Sequence, residues 1–250
     1  MFNDAPFITL PAKYRSGSCS GVFVFCDHAT NHIPAVYNNL GLSDADLSRH
    51  IAWDIGAETL TRLFCKTFGA AGLLAGFSRL LIDPNRAVGQ AGSIPLISDN
   101  TPIPGNQNLS DADIKTRIEH LYGPYHQALE DALDAAQSRH VDPLIISIHS
   151  FTPEMASGQK RDLDIGLLWK ADPDKAERIK AAIEQVHPYK VELNQPYSAL
   201  ELNYTMDRHV IARGLRHTTL EVRQDLIDTE AKALVVAKRL TEALNSFIRD

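Results

Sequence analysis

The sequence predicts an α/β fold in three layers, a central sheet with helices on both faces, and three observations carry that prediction. Short apolar runs alternate with longer amphipathic segments along the chain, the pattern of strands packed between helices. The 250 residues, 44% hydrophobic and 22% charged, are enough to bury a large core, and one domain spanning 1–250 is expected. Two of the apolar runs end in histidine: 22–25 leads into Cys26-Asp27-His28, and 144–148 leads into His149. The carboxyl ends of strands are where open α/β sheets bind ligands, because side chains there leave the packed layer for a crevice between loops.

The elements follow in order. Val22-Phe23-Val24-Phe25 reads as a strand. Ser43 opens a long helix running to about Gly69, with Asp46 in the capping-box position and Leu47, Ile51, Ile55 and Leu60 at helical spacing. Residues 72–77 then form a strand. Ser110, with Asp113 three residues on, opens a helix to about Ser138 through Ile114, Ile118, Leu121, Tyr125, Leu129 and Leu133. Pro124 should kink or split it, because proline has no amide to donate and crowds the preceding turn. The strand into His149 comes next. Further strands are expected at 163–169, 189–193 and 217–222, and helices at 173–186, about 207–213, and 229–248. Between Pro84 and Leu109 lies the longest stretch without a pattern, with four prolines; such a loop is functional or mobile, and a lid is the expectation.

Composition narrows the partners. Thirty-one acidic residues against 25 basic ones leave a net charge of −6, which offers nucleic acid no electrostatic footprint and a membrane no polybasic patch. A small partner is expected. Residues 1–6 lack the basic start and apolar stretch of a secretory signal, and no apolar run approaches the roughly 18 residues that span a bilayer, so the expected location is the cytoplasm. Cys19, Cys26 and Cys65 are an odd set without CxxC spacing, which points to reduced thiols rather than disulfides or a cysteine-rich zinc site.

The chemistry is assembled from strand ends. A catalytic zinc holds three protein ligands and one water, and His28 and His149 supply two. Asp54, in Ala52-Trp53-Asp54-Ile55-Gly56, is read as the third, an acid within the long helix bordered by bulky apolar residues. The amide of Asn31 is a weaker candidate, and Asp27 points to the opposite face of an extended chain from its neighbour. The plainer alternatives are a hydrogen-bonded pair of histidines and an Asp54 salt-bridged to Arg79 or Arg86. Glu221, in Leu220-Glu221-Val222-Arg223, is a plausible general base beside a metal-bound water. It could instead pair with Arg223, since residues i and i+2 share a strand face. Arg79, Asn85, Arg86 and Arg223 suit an anionic substrate through paired hydrogen bonds; Asn31 and Ser150 complete the expected substrate-binding set. Asp83 is read as holding an arginine or touching a ligand.

His28-Ala29-Thr30-Asn31-His32-Ile33-Pro34, Trp53-Asp54-Ile55-Gly56, Ser78-Arg79 with Asp83-Pro84-Asn85-Arg86, Ile148-His149-Ser150-Phe151 and Leu220-Glu221-Val222-Arg223 together resemble the N-formylglutamate amidohydrolase family over roughly residues 20–245. The resemblance implies a fold like that of the zinc-dependent exopeptidases, phosphorylase/hydrolase-like, with a mixed, mostly parallel sheet of about eight strands and the metal at the strand ends. It implies His28, Asp54 and His149 as ligands of zinc, or of cobalt or another divalent metal, and Glu221 as catalytic acid/base. In the carboxypeptidase pattern the acidic ligand stands three residues after the first histidine, where this chain has Asn31.

The implied reaction is hydrolysis of N-formyl-L-glutamate to formate and L-glutamate, a late step of histidine breakdown. The stretch from Ala87 to Asn108 departs from the region associated with the histidine-pathway enzymes, which leaves room for another N-acyl amino acid or a small peptide-like amide. Three rivals are set beside this reading. A muramoyl amidase would share the metal site, but a chain without an export signal is not expected to reach cell wall. A cysteine hydrolase would use Cys26 with His28 or His149, and a non-catalytic binding protein for an acidic metabolite would need the arginines without a metal.

Overall fold

Strands enclosed by helices on both faces must be apolar on both, and the central ones here are: every residue of Val22–Cys26 and of Leu144–Phe151 is buried. The computed structural model describes residues 4–12, 21–140, 142–170 and 173–248. In chain order the strands are β1 (Phe7–Leu10), β2 (Val22–Cys26), β3 (Ala71–Ala75), β4 (Ile97–Ser98), β5 (Thr101–Pro102), β6 (Leu144–Phe151), β7 (Ile165–Leu168), β8 (Val191–Leu193) and β9 (His217–Arg223). The helices are α1 (Asp44–Leu47), α2 (Ala57–Phe68), α3 (Asp111–Arg117), α4 (Gly123–Arg139), α5 (Pro173–Val186), α6 (Tyr204–His209) and α7 (Glu230–Ile248).

Seven strands form one sheet in the order β1-β3-β2-β6-β9-β7-β8, and β4 and β5 form a separate hairpin. From β3 to β9 neighbours run parallel. β1 joins β3 and β7 joins β9 antiparallel, while β8 is parallel to β7. The sheet is mixed and mostly parallel as expected, with seven strands rather than about eight.

The period-two alternation of β2 divides the core. Val22, Val24 and Cys26 pack with α2, α5 and α7 on one face, and Phe23 and Phe25 pack with Tyr125, Leu129 and Leu133 of α4 on the other. The link from β2 to β3 passes through α2 on the first face, and the link from β3 to β6 passes through α4 on the second. The first connection leads outward from β2 to β3 and the second returns past β2 to β6 on the opposite face, so a crevice opens between the carboxyl ends of β2 and β6, the switch point where such sheets bind ligands.

The long helix expected from Ser43 to Gly69 is two helices. Ser43 does cap, accepting from Asp46 N at 3.1 Å, but α1 ends at Leu47 and α2 begins at Ala57. Gly56 between them has φ +80°, and a Cβ there would meet Ile227 O at 2.2 Å. The break therefore needs both the left-handed backbone and the missing side chain. Asp54 stands on the turn before α2, not inside a helix.

The segment from Ser110 runs as expected: a capping box opens α3, one π turn at Ile118–Tyr122 follows, and α4 continues with Pro124 in its first turn. The widened turn falls where Pro124 can donate no amide. α6 starts three residues before the expected 207, and 211–213 is a separate 3₁₀ turn.

Two pieces were not foreseen, the edge strand β1 and the β4–β5 hairpin within the patternless stretch. That stretch is pinned at its base. The buried Arg117 guanidinium donates to Leu81 O and Asn106 Oδ1 at 2.7 Å and to Gly105 O at 3.1 Å, while Asn106 Nδ2 donates to Leu80 O and Pro95 O. Cys26 and Cys65 are free and buried, and Cys19 lies outside the described residues. Among the described residues no helix is long and apolar enough to cross a membrane.

Candidate active site

Two strands and one turn converge at the crevice. His28 follows the end of β2, and its carbonyl accepts from Asp54 N at 2.9 Å, which ties the turn before α2 to the strand end. His149 stands in β6, and Glu221 of β9 is its register partner. Asp54 Oδ2 lies 2.9 Å from His149 Nδ1 and 3.4 Å from His28 Nδ1, and accepts from Ser150 N at 3.2 Å. His28, Asp54 and His149 are all buried, and each offers one donor atom within 4.8 Å of the others, a group that could hold a metal ion.

The far nitrogen of each imidazole meets another buried acid. His28 Nε2 lies 2.8 Å from Asp83 Oδ1, and His149 Nε2 lies 3.6 Å from Asp27 Oδ2. Asp27 Oδ1 accepts from Tyr125 OH at 2.7 Å. In the neutral ring a carboxylate at Nε2 accepts from the N–H there and leaves the lone pair on Nδ1 for a metal, which is how metal-ligating histidines are oriented. Asp27 does point away from His28, as alternation requires; it shares the face of Phe23 and Phe25, and that face leads it beneath His149. The same alternation applied to β6 would have exposed this partnership in the sequence. Asp83 both holds Arg79, whose Nη2 donates to its Oδ2 at 2.7 Å, and orients His28.

Four buried carboxylates, Asp27, Asp54, Asp83 and Glu221, crowd this volume, and the Arg79 guanidinium pairs with two of them, Asp54 and Asp83. Burial pushes the Asp83 carboxyl up, but the charges of Arg79 and His28 outweigh it and hold it well below the usual range. Asp54 is likewise held low: burial is outweighed by the charge of His28 and by hydrogen bonds from both imidazoles. His149 moves the opposite way, its burial overcome by hydrogen bonds to Asp27 and Asp54 that keep it protonated well above its ordinary range. The site draws positive charge between its acids. A divalent cation fits the donor set, two imidazole nitrogens and one carboxylate oxygen, the residue types and number of a catalytic zinc site with an open position.

Glu221 differs from the other acids. Its Oε2 is buried without a hydrogen-bond partner, and burial first, then the negative charge of Asp54, raises its pKa to about 7. The pairing with Arg223 is not formed. Arg223 turns at the strand end to Asp164 at 3.0 Å and Asp225 at 2.7 Å, nearer carboxylates outside the cavity wall.

A cavity of about 220 Å³ opens beside the group, walled by His50, Arg79, Asn85, Arg86, Ser150 and Tyr197 among others. Arg79 Nη1 stands 3.6 Å from Asp54 Oδ1, so the salt bridge weighed against metal binding is present together with the two histidines. Arg86 donates to Asn85 O at 2.7 Å, Asn85 Oδ1 accepts from Thr205 N at 3.0 Å, and Ser150 Oγ donates to Ile55 O at 2.9 Å. Asn31 is turned elsewhere, its Nδ2 donating to Leu47 O at 2.9 Å, and it is absent from the wall.

Tyr197 and His50 were not foreseen. A Cβ on Gly166 of β7 would lie 1.9 Å from Gln195 O, so this glycine lets the chain at Gln195 cross close above β7. A glycine inside a strand signals such an approach. The hairpin turn adds Asp99, 3.3 Å from His50 Nε2 and accepting from Ala156 N at 3.1 Å, which roofs the cavity.

Cys26 faces the opposite side of β2, in the α2 cluster. It is fully buried, and burial, reinforced by Asp54, pushes its thiol well above the ordinary range. A thiolate nucleophile is not formed there.

The sequence model of a family described as N-formylglutamate amidohydrolase matches residues 20–228. The crystal structure of a gene product from Agrobacterium tumefaciens is 31% identical, with a TM-score of 0.88, 97% of this chain covered and 96% of that one. An N-formylglutamate amidohydrolase from Ralstonia eutropha shares the fold at 21% identity and a TM-score of 0.66, with 98% of each chain covered. No protein with a curated description matches the chain.

Proposed function

Because the chain belongs to the N-formylglutamate amidohydrolase family, we propose that it hydrolyses the N-acyl amide of an acidic amino acid with a bound zinc ion, and that N-formyl-L-glutamate is the substrate. The observation that carries this reading is the buried carboxylate of Glu221, its Oε2 without a hydrogen-bond partner, beside the His28, Asp54 and His149 donor group.

His28 Nδ1, Asp54 and His149 Nδ1 would hold the ion. When bound, zinc supplies a Lewis acid for the acyl oxygen and lowers the pKa of its water towards about 7. Glu221 would take a proton from the attacking water as the water oxygen bonds to the formyl carbon. It then returns the proton to the nitrogen as the C–N bond breaks, so that one water is consumed and formate and the free amino group of glutamate are released. A base with a pKa near neutrality is suited to both transfers. Asp83 and Asp27 keep the two imidazoles in the tautomer that faces the ion. Arg79, held by Asp83 and Asp54, places a fixed positive charge at the cavity wall for the oxyanion, and Arg86 with Asn85 receives a substrate carboxylate. The cavity of about 220 Å³, roofed by Asp99, suits a single acylated amino acid rather than a polymer.

The reading is tested by formate release from N-formyl-L-glutamate before and after chelation, followed by addition of zinc or cobalt. Loss on chelation and recovery with metal are expected. Formate release that survives exhaustive chelation rejects the metal-dependent mechanism, and its absence under every metal rejects the substrate.

A further inference from the structure

Arg223, the arginine that sequence adjacency offers as a second anion seat, is consumed by Asp164 and Asp225. Another guanidinium stands where the seat is needed. We infer that Arg161, together with the Tyr197 hydroxyl, seats the second carboxylate of a dicarboxylate N-acyl amino acid and is the residue that separates glutamate-type from glutamine-type substrates. The inference rests on the amidohydrolase reading above.

Arg161 touches three residues of the cavity wall. Its Nη1 donates to Tyr197 OH at 3.1 Å and to Thr152 O at 3.4 Å, and its guanidinium carbon lies 4.9 Å from the Tyr197 ring centroid and 5.9 Å from that of Phe151. Among the described residues it has no carboxylate partner. Arg79, Arg49 and Arg223 each have two. The remaining cationic wall residue in the same condition is Arg86, which bonds only a main-chain oxygen. Arg86 in the cavity lining and Arg161 against the lining residues Phe151, Thr152 and Tyr197 are thus two guanidinium groups without acids, and a substrate with two carboxylates would neutralise both.

The hydroxyl adds direction. A phenol has one hydrogen to donate, and a guanidinium accepts none. The Tyr197 oxygen already accepts from Arg161, so its own hydrogen points away from that contact, and no acceptor for it is found among the described residues. Arg161 N–H and Tyr197 O–H thus present adjacent donors, matched to the two oxygens of a carboxylate. Gly166 makes this possible by letting the chain at Gln195 pass close over β7. An amide side chain in the same place would leave one oxygen replaced by a donor group facing a donor, which is how a polar site rejects a near-isostere.

The test uses the metal-loaded protein and its Arg161→Gln, Arg161→Lys and Tyr197→Phe variants. Formate release is measured with N-formyl-L-glutamate and N-formyl-L-glutamine, and binding of L-glutamate and L-glutamine is measured separately by calorimetry. The unaltered protein should prefer the glutamate substrate in kcat/KM by about 10-fold or more. Arg161→Gln should lower that value for the glutamate substrate by about 10- to 100-fold, the range of a charged hydrogen bond, while moving the glutamine substrate by less than about 3-fold. Arg161→Lys should fall between, and Tyr197→Phe should lose less than Arg161→Gln. A merely structural Arg161 would slow both substrates alike, and an Arg161→Gln protein that keeps its preference overturns the inference. If neither substrate releases formate, the amidohydrolase reading fails separately and binding decides: glutamate favoured only while Arg161 is present supports the seat, and equal binding or none overturns it.

Discussion

Replacing Asp83 with asparagine probes the support of the metal group without touching a ligand. Asp83 Oδ1 lies 2.8 Å from His28 Nε2 and accepts from Asn85 N at 2.8 Å, and Oδ2 accepts from Arg79 Nη2 at 2.7 Å. Every contact is with a donor. An amide in the same volume keeps one oxygen and turns an NH₂ group towards either Arg79 or the His28 and Asn85 donors, so at least one donor loses its acceptor whichever way the side chain lies. That costs the fold about 1–3 kcal/mol. His28 also loses the charge that fixes its tautomer and raises its basicity, and loss of such an outer partner lowers metal affinity about 10- to 100-fold. Competition with a chromogenic chelator measures the affinity, and denaturant unfolding of the metal-free protein measures the fold. Asp83→Asn binding zinc within twofold of the unaltered protein, while His28→Ala loses it, would refute the assignment of Asp83 as the group that orients His28.

Other expectations follow from the same contacts. Glu221→Gln should keep metal content and lower kcat about 10²- to 10⁴-fold; an active variant assigns proton transfer elsewhere. Gly166→Ala should displace the 195–197 backbone, whose Gln195 O would lie 1.9 Å from the new Cβ, destabilising the protein by about 1–3 kcal/mol and raising KM more than it lowers kcat. His126 and His209 share a hydrogen bond of 2.8 Å, and burial, the largest influence on each, lowers them to about 3 and about 4. Their pKa values are lower folded than unfolded, so the stability they contribute is present above about pH 6.5 and is lost as pH falls towards those values. Unfolding by denaturant should show the unaltered protein losing roughly 2 kcal/mol more than His209→Gln between pH 7 and 5, and equal losses would remove the pair from the acid response.

Much of the site was legible because its residues sit at the ends of recognisable runs. His28 and His149 close two apolar strands, Glu221 stands in a third, and register brings the last two side by side. The fold class followed from alternation, and Ser43 and Ser110 cap helices where their spacing said they would. What was not legible depends on contacts distant in sequence. The Asp83 to His28 partnership joins separate elements and no local pattern announces it, whereas that of Asp27 with His149 follows from the alternation of β2 and β6 once the two are paired. The break before α2 depends on the close approach of Ile227 to Gly56, which helical periodicity across 43–69 does not register. Arg223 drew the substrate-binding assignment by lying two residues from Glu221, whereas Arg161, in an irregular segment, reaches the cavity wall only after the 195–197 segment folds over Gly166.

The central claim is that one ion binds between His28, Asp54 and His149, and anomalous diffraction from crystals of the zinc-loaded protein tests it most directly. A single strong peak is expected, bonded to His28 Nδ1, an Asp54 oxygen and His149 Nδ1 at about 2.0–2.2 Å and absent from crystals of His149→Ala. A zinc-loaded protein active towards N-formyl-L-glutamate with no peak between these residues, or with its peak elsewhere, would contradict it.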